Sequence, residues 1–137
     1  MRLRRQMAQG ELRLQKLQVI SESVYEQIRQ ALISPEMGGI LGTDDSGIVT
    51  NFYHDTGGIS TKKNYIPDVK NLNEVIDAWS KRGIKFVGFV HSHSKNKSKL
   101  SAADIDYAEK IKSTCHLTEI LMLLYLPATK TFYQYII

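Results

Sequence analysis

Two histidines one residue apart, His91 and His93, close the apolar run 84–90, and a serine and an aspartate, Ser101 and Asp104, follow after seven intervening residues. The run Ile84-Lys85-Phe86-Val87-Gly88-Phe89-Val90 is rich in β-branched and aromatic residues and reads as a buried strand. Side chains alternate across a strand, so residues i and i+2 share a face, and both imidazoles point the same way. The polar stretch 94–100 then reads as a loop that brings the chain back to Asp104 at the start of a helical pattern. Two imidazoles and one carboxylate are three metal-ligand groups. Three protein ligands with an open fourth position make a catalytic zinc site, whereas a closed structural site needs a fourth ligand, usually cysteine, and no cysteine is near. Each half of the pattern also has an ordinary reading. A His-x-His pair occurs on surfaces and in hydrogen-bonded cores, and Ser101-x-x-Asp104 is a helix-capping arrangement. The two readings of Ser101-x-x-Asp104 are compatible, because a capped helix holds Asp104 in a fixed place.

Taken together, His91, His93, Ser101 and Asp104 fall without a gap on the signature of the JAMM (MPN-type) metalloprotease family, and the chain resembles that family from about residue 17 to its end. The family also carries an upstream glutamate at the start of a Gly-rich strand, and Glu36-Met37-Gly38-Gly39-Ile40-Leu41-Gly42 looks like that element. One departure is local. Many members have proline after the second histidine, where this chain has Ser94, which bears on the loop more than on the ligands.

The resemblance implies a set of roles. His91, His93 and Asp104 hold Zn2+, and the metal lowers the pKa of a bound water to roughly 7. Glu36 serves as general base, passing a proton to the leaving amine. Ser101 donates to the developing oxyanion. Taken alone, Glu36 is a polar residue after a helix-ending proline and Ser101 is a helix cap. The implied reaction is hydrolysis of the amide after the C-terminal glycine of a ubiquitin-like or sulfur-carrier protein. A compact domain of this kind looks like the prokaryotic, deubiquitinase-like JAB-domain branch, with an E1-like enzyme of the same pathway as a further partner. Two other classes compete with this reading. One is a non-catalytic MPN scaffold, against which retention of all five positions argues. The other is a RadC-like, DNA-associated metal protein, whose Pro/Gly-rich loop spacing is missing from residues 94–100.

The elements that must position these groups follow from the rest of the chain. With 137 residues, 42% hydrophobic and 23% charged, one domain with one sizeable core is expected. The net charge of +4 sits in residues 1–16, where Arg2, Arg4, Arg5, Arg13 and Lys16 face Glu11 alone; the remainder is neutral. This divides the chain into a basic arm, 1–16, and a catalytic domain, 17–137. No aromatics interleave the arginines, so a solvated arm is expected rather than a nucleic-acid contact. No apolar run reaches about 18 residues, so no membrane span is expected. The basic start has no apolar stretch behind it and does not read as a secretory signal. The single cysteine, Cys115, excludes an internal disulfide and fits a reducing, cytoplasmic setting. It reads as an inert small residue.

Residues 12–14 and 16–20 alternate as a first strand. Ser23-x-x-Glu26 reads as a capping box opening a helix with Val24, Ile28 and Leu32 inward and Pro35 as its stop. Residues 36–41 and 48–53 read as a hairpin around the turn at 43–47. His54 reads as an ordinary polar histidine. Residues 55–67 lack a pattern; family position suggests an edge facing the substrate. Asn71-x-x-Glu74 reads as the start of a second helix burying Val75, Ile76 and Trp79 and stopped by Gly83. A third helix is expected over 101–113, with Ile105, Ala108 and Ile111 or Lys112 near its inner face. Strands are expected over 119–126 and 131–137. The fold class is therefore α/β (α+β, three-layer), a mixed sheet flanked by helices. The resemblance implies the JAMM/MPN, cytidine-deaminase-like arrangement of these elements.

Overall fold

The structure is a computed structural model that describes residues 17–60, 65–94 and 97–137. The basic arm at 1–16, with the alternation at 12–14, lies outside the described residues, as do 61–64 and 95–96. In chain order the elements are α1 (Glu22–Ala31), β1 (Gly38–Thr43), β2 (Val49–His54), β3 (Ile59–Ser60), β4 (Tyr65–Ile66), α2 (Val69–Lys81), β5 (Lys85–Ser92), α3 (Ala102–Thr114), β6 (Leu121–Leu126) and β7 (Thr131–Ile136).

Five strands form one mixed sheet in the order β2-β1-β5-β6-β7. Neighbours pair antiparallel except β5 with β6, which run parallel and are joined through α3. A parallel pair needs such a crossover, because a tight hairpin cannot reverse the chain twice. The unbroken apolar run of β6 follows from its place between two strands, buried on both faces.

Alternation sorts the core into two layers. On one face Leu41, Val90, Leu121, Leu123 and Tyr125 pack with Val24, Ile28 and Leu32 of the α1 region. On the other, Ile40, Phe86, Phe89 and Met122 meet Leu72 and Trp79 of α2 and Ala108 of α3. Val24, Ile28 and Leu32 are wholly buried. Each such side chain is worth about 1.5–3 kcal/mol relative to exposure, which fixes α1 on its face.

The structure differs from the sequence expectation in four places. Residues 17–20 are not a strand: Ile20 makes a single parallel bridge to Val49, and Leu17 and Val19 are exposed. The backbone of Gln18 is instead paired by the amide of Gln134 on β7, which accepts from Gln18 N at 2.7 Å and donates to Gln18 O at 3.0 Å. The α1 cap is Ser21, whose extended backbone lets Oγ accept from Val24 N, while Ser23 already lies inside the helix. That helix ends at Ala31, short of Pro35. The α2 cap is Asp68, three residues before Asn71, and it accepts from the Asn71 amide. The remaining expectations hold within a residue or two. Trp79 and Ala108 are buried, and Gly83, at φ +76°, supplies the left-handed turn that stops α2.

Candidate metal centre

His91 is the penultimate residue of β5, on the face of Phe89, beside Gly38 of β1 and Leu124 of β6. His93 lies just past the strand, and its N–H continues the ladder to Tyr125 O at 3.0 Å. The two rings stack, with centroids 4.5 Å apart and planes 20° apart. Both side chains are buried. His93 Nδ1 lies 3.0 Å from the Lys97 carbonyl. A carbonyl only accepts, so Nδ1 carries the proton and Nε2 presents a lone pair to the site. The returning loop is anchored in turn by Tyr135 on β7, whose hydroxyl donates to Ser98 O at 2.5 Å.

Asp104 is placed by the start of α3. Ser101 caps the helix: its Oγ accepts from Asp104 N at 3.1 Å, and Ser101 N donates back to Asp104 Oδ2 at 2.9 Å. This reciprocal box sets the carboxylate 3.6 Å from His91 Nε2 and 3.6 Å from His93 Nε2. The three ligand groups of the sequence pattern thus converge, with one donor atom of each within 4.8 Å of the others. His91 Nε2 is buried with no hydrogen-bond partner among the described residues. A buried polar atom left unpaired costs about 1–3 kcal/mol, and a cation held by the three groups would satisfy it. The donor set of two imidazoles and a carboxylate fits zinc.

Glu36 arrives from the other side. Strand β1 begins at Gly38 rather than at Glu36, so the glutamate sits in the turn that leads into the strand. It is nonetheless buried, with Oε1 3.9 Å from His93 Nε2. Glu36, His91, His93, Ser101 and Asp104 line one cleft of about 310 Å³, walled further by Tyr65, Pro67, Phe89 and Tyr107.

The protonation states follow from burial and charge. Burial pushes the Glu36 carboxyl up; a cationic His91 would oppose this, and Asp104 adds to it. Burial holds the His93 imidazole below its usual value, and His91 beside it acts the same way. Burial would also raise Asp104, but His91 and the backbone N–H of Ser101 outweigh it and hold the carboxyl at about 2. Asp104 is therefore ionised at neutral pH and His93 favours the neutral form, the states a metal ligand needs.

No family model matches the chain, and no curated protein does. Solved structures do. A JAB1/MPN domain protein from Archaeoglobus fulgidus matches at 17% identity with a TM-score of 0.52, over 88% of this chain and 89% of that one. The fold is that of a JAB1/MPN domain. A protein from Desulfitobacterium hafniense, solved in solution, matches at 19% identity and a TM-score of 0.51, over 86% of this chain and 81% of that one. At these identities the likeness is one of fold.

Within the JAB1/MPN fold, two side chains at the site carried no weight in the sequence. Tyr65, in the unpatterned stretch 55–67, begins the short strand β4, which pairs with β3. Its ring stands edge-on to His91 at 6.5 Å, and its hydroxyl donates to buried Asp55 at 2.5 Å. Gly38 is required here, since a Cβ would overlap the Tyr65 ring. Ser92 lies between the two histidines and is wholly buried on the α1 side of β5. A hydroxyl closing an otherwise apolar strand face was its available signal. His54 lies apart from the ligand cluster, its ring stacked near Phe52. Cys115 is exposed at the far end of α3 from Asp104. Among the described residues no helix is long and apolar enough to cross a membrane.

Proposed function

We propose that this chain is a zinc-dependent peptidase or isopeptidase. It hydrolyses the amide after the C-terminal glycine of a ubiquitin-like or sulfur-carrier protein. The observation that carries the reading is the buried Nε2 of His91, unpartnered among the described residues and within 4.8 Å of donor atoms on His93 and Asp104 in a cleft that also holds Glu36. Bound zinc supplies Lewis acidity there and makes hydroxide available near neutral pH.

The chain's own groups supply the rest. Glu36 is buried, and its pKa is raised, so its carboxylate takes a proton more readily than an exposed one and returns it to the leaving amine. Ser101 Oγ accepts from the Asp104 amide, which leaves its O–H free to donate to a carbonyl oxygen in the cleft. Capping and oxyanion contact are thus compatible in one hydroxyl. The Tyr65 ring, seated on Gly38 and edge-on to His91, forms part of the cleft wall, where a substrate residue without a β-carbon needs the least room. A protein substrate is favoured by the exposed apolar pair Ile59 and Ile66, which face each other across the β3–β4 hairpin next to the cleft. On this reading the setting is cytoplasmic and an E1-like enzyme of the same pathway is a further partner.

Elemental analysis of the purified protein should find about one zinc per chain, as a single three-ligand site requires. His93→Ala should lose it. Fusions in which Gly-Gly precedes a reporter should be cleaved far faster than those with Ala-Ala. Equal rates would make the protein a general peptidase; absence of zinc from the wild type would make it a non-catalytic scaffold.

A further inference from the structure

We propose that Ser92 is the positioning residue for Glu36, the staple that holds the proposed base against the metal ligands. The inference rests on the hydrolytic reading above. It starts from a problem of placement. Glu36 belongs to no element: α1 ends at Ala31 and β1 begins at Gly38. Residues 33–35 before it are exposed, yet Glu36 itself is buried. Its carboxylate has no hydrogen-bond partner among the described residues, and the basic side chain within 4 Å of it, that of His93, lies 3.9 Å away at Nε2. The side chain therefore does not hold itself; the backbone on either side must be held.

Both sides are held by one residue. Ser92 Oγ donates to Ser34 O at 2.7 Å, two residues before Glu36. The same oxygen accepts from Met37 N at 2.9 Å, one residue after it. Ser92 N donates to Met37 O at 2.8 Å, completing the clamp. Ser92 has no solvent exposure, so these bonds face no competition from water. Its chain neighbours are His91 on β5 and His93 just past the strand. One short stretch thus carries two metal ligands on one face and, on the other, the hydroxyl that fixes the base. Register between base and ligands is set within three consecutive residues, and any movement of the 34–37 turn is a movement of Glu36 relative to the histidines. Misplacing a catalytic group by about 1 Å can cost up to ~10²-fold in rate, so the clamp bears on turnover and not only on folding.

A double-mutant cycle on the zinc-loaded protein tests this, with the Gly-Gly fusion as substrate. Ser92→Ala should lower kcat by up to ~10²-fold with KM and zinc content unchanged. In a Glu36→Gln background the same change should have no further effect on the residual turnover, because Ser92 acts only through the base. Amide hydrogen exchange at Met37 should accelerate in Ser92→Ala, a readout independent of activity. Ser92→Cys fills similar space with a thiol, a poor donor, and is read in the same way if the alanine variant does not fold. An equal loss in both backgrounds, a loss of zinc, or unchanged exchange at Met37 overturns the role of Ser92 and leaves the hydrolytic reading standing. A wild-type protein that holds zinc but cleaves no fusion overturns both.

Discussion

The two faces of the central sheet are built to different ends from the same strands. On the α1 face Val90 of β5 and Leu121, Leu123 and Tyr125 of β6 pack into one apolar layer. On the α2/α3 face the layer starts the same way, with Phe86, Phe89 and Met122, and then changes chemistry at its end. There β5 presents His91, α3 presents Asp104, and the turn before β1 presents Glu36. One residue separates the two regimes on β5: Val90 faces the core and His91 faces the cleft. The difference shows where such a domain can place ionisable groups. Burial destabilises a charge unless something pairs with it, so the site occupies the rim of one layer, while the opposite layer stays apolar and supplies stability. Ser92 alone breaks the apolar character of the α1 face of β5, and its hydroxyl reaches across to the turn that carries Glu36.

Substitution among the ionisable groups of the cleft should then act mainly on chemistry, and substitution in the apolar layer opposite, Ser92 aside, mainly on stability. The largest expected effect is Glu36→Gln. It should keep zinc and fold and lower turnover by ~10²–10⁴-fold, the usual contribution of a general base. Zinc content and cleavage rate from one preparation decide it, and a wild-type rate would remove Glu36 from the mechanism. Its counterpart is Leu123→Ala, at 1% exposure on the α1 face. Cavity formation should cost about 2–5 kcal/mol in denaturant unfolding, with one zinc still bound to the folded fraction. Zinc loss at full folding would mean the two faces are not separable.

The contrast between the faces also explains what the sequence disclosed. The β5 and β6 strands were legible because continuous apolar runs admit few alternatives, and His91, His93 and Asp104 because they lie within one local motif. The caps at Ser21 and Asp68 were missed in favour of Ser23 and Asn71. Each helix start offers two small polar residues within a turn, and only the backbone decides which one is outside the helix. Residues 17–20 alternate like a strand, but the partner that satisfies Gln18 is a side chain of β7, more than a hundred residues away. Glu36 was visible only through family resemblance, since nothing local distinguishes it from an exposed turn residue. Tyr65 gave no signal at all, because its role depends on Gly38 and Asp55 meeting it in space.

A smaller effect sharpens the boundary of the site. Ser101→Ala removes the cap of α3 and one arm of the box that holds Asp104. Loss of such a cap should lower stability by about 0.5–2 kcal/mol. If Ser101 also meets the substrate, Ser101→Gly should recover most of that stability, since glycine is a tolerable cap, without recovering turnover. Recovery of both would confine Ser101 to capping.

The smallest expected effect is a pH-dependent one, and its sign follows from burial. The folded-state pKa of Glu36 lies above its ordinary value because burial disfavours the charged carboxylate. The folded protein therefore prefers the protonated form. The stabilisation linked to that preference is complete below the unfolded-state pKa, near 4.3, and is lost as pH rises through the higher folded-state value. At neutral pH this burial costs the metal-free wild type free energy. Glu36→Gln removes the titrating group while keeping the shape. Without metal, the variant should melt at a higher temperature than the wild type at pH 7–8, and the gap should close as pH falls toward about 4. Melting curves of both proteins, stripped of metal and measured across that range, give the answer. A variant less stable than the wild type at pH 7–8 would mean that the ionised carboxylate is held by a favourable interaction, and the strain assigned to Glu36 would have to be withdrawn.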